Sequence, residues 1–299
     1  MIKKISSLCL ILSSFLLLTS CSLGTNSKPS SLKEGISKTD LKNNKSISDE
    51  VSKDSSSLIT NNKQDNSNKN KTSFTKIKGS IPVLMYHSIG FEKDNPVRIP
   101  ADKFDEQMKY LKDNGFYTLS MDETYDYFSK GKPIPEKSIV LTFDDGYLDN
   151  YTKLYPILKK YKFKGTIFVI TGAIDKEKDF LTSAQLKELD KNCLDIQSHT
   201  FAHEKLSEIP YDKQVKTLKT SKDFLEKQLN KKVSYLAYPY GKYTKNTIKA
   251  AKEAGYSMAF TTDGKWSDKS NGIFTLNRVY ISGFSDMDTF IKRVNNPNY

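Results

Sequence analysis

From Ile81 to Ile281 the chain alternates short β-branched and aromatic runs with longer segments of helical period, and no other feature constrains the fold as strongly. Apolar runs of that length suit strands covered on both faces, and the helices between them return the chain so that successive strands lie parallel. The runs predict strands at Pro82–Tyr86, Tyr117–Ser120, Ser138–Phe143, Gly165–Ile170, Leu194–Ser198, Ser234–Tyr238, Ser257–Thr261 and Arg278–Ile281. Helices are expected at Phe104–Asn114, Lys213–Leu229 and Lys245–Ala254. Phe104, Met108 and Leu111 share one face of the first, while Gly115 and Gly255 are placed to end the first and the last. Seven or eight such units in about 220 residues fit an α/β fold of the distorted (β/α)7-8, TIM-like barrel type better than an open sheet. Chemistry in such barrels gathers at the carboxyl ends of the strands, so functional motifs are expected there.

The first 79 residues read differently. Lys3 and Lys4 precede an apolar run, Leu8 to Leu18, that ends at Leu18-Thr19-Ser20-Cys21. The run is shorter than the roughly 20 residues a bilayer span requires. It resembles a bacterial lipoprotein signal, which implies removal of residues 1–20, lipidation of Cys21 and attachment at the extracellular face of the cell membrane. Residues 21–79 are mostly Ser, Lys, Asn, Asp and Thr without periodicity, so they are expected to form a disordered tether ahead of a folded domain at 80–299. Of the net charge of +12, residues 1–79 supply +7, from 13 Lys and six acids. The folded part is therefore near balance, which speaks against a nucleic-acid partner. Of three cysteines, Cys9 lies in the signal and Cys21 at the lipid site. Only Cys193 remains in the folded part, where no internal disulfide is possible and core packing is its expected role.

Three motifs stand at predicted strand ends. In Leu141-Thr142-Phe143-Asp144-Asp145-Gly146 an apolar strand runs straight into two acids. An Asp-Gly step is also a hairpin signal, but adjacent side chains at a strand end diverge, so one carboxylate can bind a metal while its neighbour stays free as a base. His199-Thr200-Phe201-Ala202-His203 follows the strand Leu194–Ser198. Imidazoles four apart on one helical turn can converge on a single ion, although the same spacing occurs on ordinary helix surfaces. The chain holds only three histidines, and two fall in this one turn. Two neutral imidazoles and one carboxylate make a three-ligand site with open positions, suited to a divalent metal, Zn²⁺ first and Co, Ni or Fe as well. The third motif, Ala237-Tyr238-Pro239-Tyr240-Gly241, taken alone reads as a strand-to-loop turn.

In combination, Thr-Phe-Asp-Asp, His-Thr-x-x-His and Tyr-Pro-Tyr-Gly resemble the motifs of the polysaccharide deacetylases of carbohydrate esterase family 4, the NodB-homology domain, over roughly Ile81 to Ile281. The resemblance implies that Asp144 is the general base, that Asp145, His199 and His203 are the metal ligands, and that the Tyr240 backbone N–H helps to hold the oxyanion. Two family features are missing. The Arg that opens the third motif and pairs with the catalytic Asp is replaced by Ala237. Of the three arginines, Arg98, Arg278 and Arg293, Arg278 begins a predicted strand near the barrel's end and is expected to orient Asp144 instead. The late Leu-x-His motif that supplies the general acid is also absent, since no His follows His203. The remaining imidazole is His87, at the end of the first strand in Val83-Leu84-Met85-Tyr86-His87, and barrel closure brings first and last strands together. That opening segment resembles the subgroup acting on poly-N-acetylglucosamine. The family's Asp-x-x-Asp-Trp motif has no clean match, and Asp263 and Trp266 are not equated with it.

The resulting expectation is hydrolysis of the acetamide of N-acetylglucosamine units in an extracellular polysaccharide, poly-N-acetylglucosamine first, with peptidoglycan as the rival substrate. From a different class, the chain could be a glycan- or metal-binding lipoprotein that has lost catalysis. Expected partners are the N-acetylated polysaccharide and, through the lipid, a membrane. Aromatics near the motifs are Tyr147, Tyr151, Tyr238, Tyr240 and Trp266, and of these Tyr238 and Trp266 are the candidates for contact with sugar rings.

Overall fold

The computed structural model describes Gly79–Tyr299 together with the backbone of Phe74–Thr75. Cys21, the signal and most of the expected tether lie outside the described residues. In chain order the strands are β1 (Phe74–Thr75), β2 (Val83–Tyr86), β3 (Tyr117–Thr118), β4 (Ile134–Pro135), β5 (Ser138–Asp145), β6 (Gly165–Val169), β7 (Leu194–Ser198), β8 (Tyr235–Ala237), β9 (Met258–Phe260) and β10 (Val279–Tyr280). The helices are α1 (Ala101–Asp113), α2 (Met121–Lys130), α3 (Tyr155–Tyr161), α4 (Ser183–Asp190), α5 (Tyr211–Leu229), α6 (Lys245–Glu253) and α7 (Met287–Asn295). The eight predicted runs all carry strands. Most are trimmed at their ends, whereas β5 extends two residues farther and takes in Asp144 and Asp145.

Local chemistry explains several helix boundaries. Ser120 caps α2 by accepting from the Glu123 N–H while Glu123 reaches back to the Ser120 N–H, and Gly131 ends that helix in a left-handed turn at φ 66°. Thr182 and Gln185 make the same reciprocal pair at α4. Asn230 ends α5 at φ 52°, a conformation that Asn tolerates well.

Seven parallel strands pair in the order β10-β2-β5-β6-β7-β8-β9, and β3 adds to the amino end of β5. β1 and β4 form a separate antiparallel ladder. The two sheet edges approach each other through the segment leading into β10. There Ala259 N–H donates to Ile273 O at 3.0 Å, Leu276 N–H to Ala259 O at 3.2 Å and Thr261 N–H to Leu276 O at 2.8 Å. This is a distorted barrel closed by irregular backbone, as expected of a (β/α) barrel short of a full complement of strands.

Strand periodicity divides the apolar residues into two layers. Leu84, Tyr86, Leu141, Phe143, Ile167, Val169, Ile196 and Leu236 pack outward with helix residues such as Phe104, Leu158, Leu186 and Leu218. Val83, Val140, Phe168, Tyr235, Ala237, Met258 and Phe260 fill the interior. Cys193 is half-buried against the outer layer and burial raises its thiol pKa, which suits a packing role.

Candidate active site

The same period-two alternation selects the side chains that reach the barrel mouth. Val140 of β5 faces inward and Leu141 and Phe143 face the helices, so Thr142 and Asp144 point inward. His87 continues the inward parity of Val83. His199 stands opposite to the outward Leu194 and Ile196. Three polar groups thus converge from three strand ends because of where they fall in an alternating pattern.

Asp144 is only 2 % exposed, and a buried carboxylate needs a partner. Arg278, one residue before β10 and fully buried, supplies it. Its Nη1 donates to Asp144 Oδ1 and its Nη2 to Asp144 Oδ2, each at 2.7 Å, in a bidentate fork. Nη1 also donates to Thr142 Oγ1 at 3.2 Å, and Nε to the Thr261 carbonyl at 2.9 Å. Burial works to raise the Asp144 pKa, but the Arg278 charge outweighs it and holds the carboxyl well below the usual range. Arg278 lies two strands from Asp144 on one side of the sheet, and Ala237 lies three strands away on the other.

The backbone of Asp145 turns to φ 75° at the end of β5, which separates its side chain from that of Asp144. Its Oδ1 is buried without a hydrogen-bond partner. His199 Nε2 lies 3.5 Å and His203 Nε2 3.4 Å from that oxygen, and the three candidate ligand atoms all lie within 4.8 Å of one another. His199 Nδ1 is 2.8 Å from the Ala237 carbonyl, which can only accept, so Nδ1 carries the proton and Nε2 presents a lone pair. His203 Nδ1 is 3.1 Å from the Tyr240 hydroxyl, which sets the same tautomer when Nδ1 donates. Burial lowers the His199 pKa to about 3 and lowers that of His203, so both rings are neutral at pH 7. Burial also raises Asp145 to about 6, leaving it largely ionised at that pH. Three electron-rich atoms therefore face one another with no proton between them. Two imidazoles and a carboxylate are the donor set that fits a divalent transition ion.

The His pair does not sit on a helical turn. Thr200 and His203 adopt φ 67° and 56°, which no α-helix accommodates. The rings are brought together by a loop, held where Gly172 N–H donates to Phe201 O at 2.7 Å, Phe201 N–H to Thr217 Oγ1 at 3.2 Å and His203 N–H to Thr200 Oγ1 at 3.0 Å. Tyr240 follows β8 at φ 58° with its side chain half-exposed, and its hydroxyl meets the site. His87 is half-buried, edge-on to Tyr280 at 6.4 Å, and near enough to lower the pKa of both Asp144 and Asp145.

The two residues expected to contact sugar do not reach the mouth. Tyr238 follows inward-facing Ala237, so its parity turns it outward. It is fully buried in the helix-side layer and stacked on Tyr243 at 5.5 Å. Trp266 lies at the opposite end of the barrel, where its indole N–H donates to the Arg293 carbonyl at 2.8 Å. It lines a cavity of about 160 Å³ with Ser80, Pro82, Lys137 and Ser138, at the amino ends of β2 and β5. The aromatics near the mouth are others. Tyr147 faces Asp145 and stacks on Phe180 at 5.1 Å, while Phe201 and Phe180 line a groove of about 330 Å³ that includes His203 and Lys176. Thr142, Thr261, the Ala237 carbonyl and Phe201 are site residues that no sequence motif singled out by role.

The chain is similar to several known proteins. The family described as polysaccharide deacetylase matches residues 131–259. YxkH of Bacillus subtilis, which carries that family's name, is 38 % identical over 202 residues, covering 68 % of this chain and 71 % of its own. A Staphylococcus aureus poly-β-1,6-N-acetyl-D-glucosamine N-deacetylase is 31 % identical over 197 residues, covering 62 % of this chain and 68 % of its own. Among solved structures, the Streptococcus pyogenes deacetylase PplD in complex with acetate superposes with a TM-score of 0.70 at 35 % identity, covering 73 % of this chain and 99 % of that one. IcaB from Ammonifex degensii gives 0.64 at 25 % identity, covering 72 % and 95 %. With relatives of that identity aligned over more than two thirds of their length and the barrel shared with solved deacetylases, this chain belongs to the polysaccharide deacetylase family, hydrolases of amide bonds.

Proposed function

We propose that the protein removes acetyl groups from N-acetylglucosamine units of poly-N-acetylglucosamine, working from a lipid anchor at Cys21 on the extracellular face of the membrane. One observation carries the catalytic part: the Asp144–Arg278 ion pair lies directly beside the electron-rich trio of Asp145, His199 and His203. A protein that only bound metal or glycan would have no use for a second buried carboxylate held in a fixed orientation. The name of the staphylococcal relative supports the choice of glycan.

In this reading Asp145, His199 and His203 hold a divalent cation, which when bound polarises the acetyl carbonyl and acidifies water. The chain's own groups move the protons. Asp144, ionised and unable to rotate in the Arg278 fork, accepts a proton from the attacking water at a carboxylate oxygen. A carboxylate held so far down is a weak base by itself, and it would depend on a bound cation to acidify the water it deprotonates. The Tyr240 turn offers its backbone N–H toward the developing oxyanion. His87, as imidazolium, gives its proton to the departing nitrogen, because an amine anion is a very poor leaving group. The C–N bond breaks, and acetate and a free amine result. Phe201 and Phe180 supply the apolar surface against which a sugar ring packs, in place of Tyr238 and Trp266.

The test is acetate release measured side by side on poly-N-acetylglucosamine and purified peptidoglycan, with Asp144→Asn as control. Preferential release from the first, abolished in the variant with metal content unchanged, supports the reading. Preferential release from peptidoglycan overturns the glycan assignment, and no release from any N-acetylated glycan overturns the catalytic one.

A further inference from the structure

His87 has an exacting task and no hydrogen bond on its buried ring nitrogen: Nδ1 lacks a partner among the described residues, and the ring's aromatic neighbour is Tyr280, edge-on. With no hydrogen bond at Nδ1 to fix it, the position of the ring depends on the main chain that carries it and on packing against Tyr280. That main chain is fastened by side chains from one place, the turn that follows Asp144 and Asp145. Asn150, fully buried, donates from Nδ2 to the His87 carbonyl at 2.9 Å. Asp149 takes the next two residues. Its Oδ2 accepts from Ser88 Oγ at 2.5 Å, and its Oδ1 accepts from Ile89 N–H at 3.1 Å. Asn150 Nδ2 also reaches Asp149 Oδ1 at 3.2 Å, so the two clamps are joined.

A cation steadies the clamp. Arg98 Nη1 donates to Ser88 Oγ at 3.1 Å and lies 3.7 Å from Asp149 Oδ2, while its guanidinium sits over the Tyr147 ring at 5.3 Å. Tyr147 in turn faces Asp145. Gly90 leaves little room for looseness, since a Cβ there would stand 3.3 Å from Asp149 Oδ2.

Resting on the proposed role of His87, we infer that Asp149 and Asn150 are positioning residues that hold the proton donor in register with the base and the candidate metal ligands. Strand pairing holds β2 beside β5 as far as Tyr86 and Phe143, and beyond that point this turn ties the loop bearing His87 to the strand end bearing Asp144 and Asp145. Misplacing a reacting group by about 1 Å costs on the order of 100-fold in rate. Asp149→Ala is thus expected to lower turnover where leaving-group protonation matters and to spare it where protonation does not.

The experiment compares two substrates on the full chain loaded with Zn²⁺. One is an N-acetylglucosamine oligomer, whose amine must be protonated to leave. The other is 4-nitrophenyl acetate, whose phenolate leaves without a proton. Asp149→Ala should reduce kcat on the oligomer by about 10- to 100-fold with KM and zinc content nearly unchanged, and leave ester hydrolysis within about threefold. His87→Ala should show the same selective loss, and adding Asp149→Ala to it should cost little more, because both changes disable one function. Asp149→Asn, which retains an acceptor for Ile89 N–H, should fall between wild type and Asp149→Ala, and it serves if the alanine variant does not fold. Equal losses on both substrates, or additive losses in the double variant, would overturn the positioning role while leaving that of His87 intact. If instead His87→Ala loses both activities equally, or the wild type releases no acetate from the oligomer, the role of His87 itself falls and this inference with it.

Discussion

Replacing Arg278 by methionine tests the core of the site, because the residue is wholly buried and four of its hydrogen bonds are accounted for. Methionine fills much of the same volume but leaves Asp144, 2 % exposed, charged and unpaired. Breaking a buried pair from one side costs about 3–5 kcal/mol, far more than the pair's net worth, since the surviving charge loses its partner without regaining water. For a domain of this size each kcal/mol shifts Tm by roughly 2–4 °C, so a fall of about 6–20 °C is expected at pH 7. The pH dependence has a definite sign. In the wild type the Asp144 pKa lies below its unfolded value, so the pair's contribution is present above about pH 4 and fades as pH falls through the folded pKa. Without Arg278, burial places the folded pKa above the unfolded one, so the variant recovers as its carboxylate takes up a proton. The gap between the two proteins should be widest near neutrality and narrow toward pH 4–5. Guanidinium unfolding followed by Trp266 fluorescence measures it, since the single tryptophan is half-buried at the far end of the barrel. Asp144→Asn added to Arg278→Met should restore at least half the loss by removing the stranded charge. A single variant within about 1 kcal/mol of wild type at pH 7, or a double variant no more stable than the single, would refute the reasoning.

Other outcomes follow from individual contacts. Tyr240→Phe removes the hydroxyl beside His203 Nδ1 and should weaken zinc affinity about 10-fold in a competition titration with a chelator, the usual cost of losing an outer partner of a ligating histidine. Stripping the wild type with that chelator should abolish acetate release, and added Zn²⁺ should restore it. Gly241→Ala forces a Cβ to within 2.2 Å of Thr262 Oγ1 at φ 65°, so destabilisation beyond the about 1–2 kcal/mol of left-handed strain alone is expected in denaturant unfolding. Phe201→Ala should raise KM for N-acetylglucosamine oligomers several-fold while hardly altering hydrolysis of 4-nitrophenyl acetate, and equal effects on both would remove Phe201 from glycan contact.

Much of the frame was legible because it rests on local periodicity. Each βα unit announces itself through a run that must be apolar on both faces and a helix that must be apolar on one. Asp144, Asp145, His199 and His203 were visible as candidates for a related reason: they stand in short contiguous motifs at predicted strand ends. The conformation of the His loop was not, since spacing of four suggests a helix, and the left-handed turns at Thr200 and His203 arise from hydrogen bonds to Gly172, Thr217 and Thr200 itself.

Arg278 is a candidate in the sequence through its place, among three arginines, at the start of a predicted strand near the barrel's end, and the bidentate fork that joins it to Asp144 spans 134 residues of chain. Tyr238 and Trp266 mark the limit of reading along a line. Proximity in sequence placed both near the motifs, but one residue of parity turns Tyr238 toward the helices, and the loop after β9 carries Trp266 to the wrong end of the barrel. Residue order therefore settles which elements form and which chemical groups stand at their ends, because those depend on neighbours a few positions apart. Which groups finally meet, as Arg278 meets Asp144 and Asp149 meets the backbone beside His87, depends on barrel closure and strand register, and these exist only once distant segments have packed together.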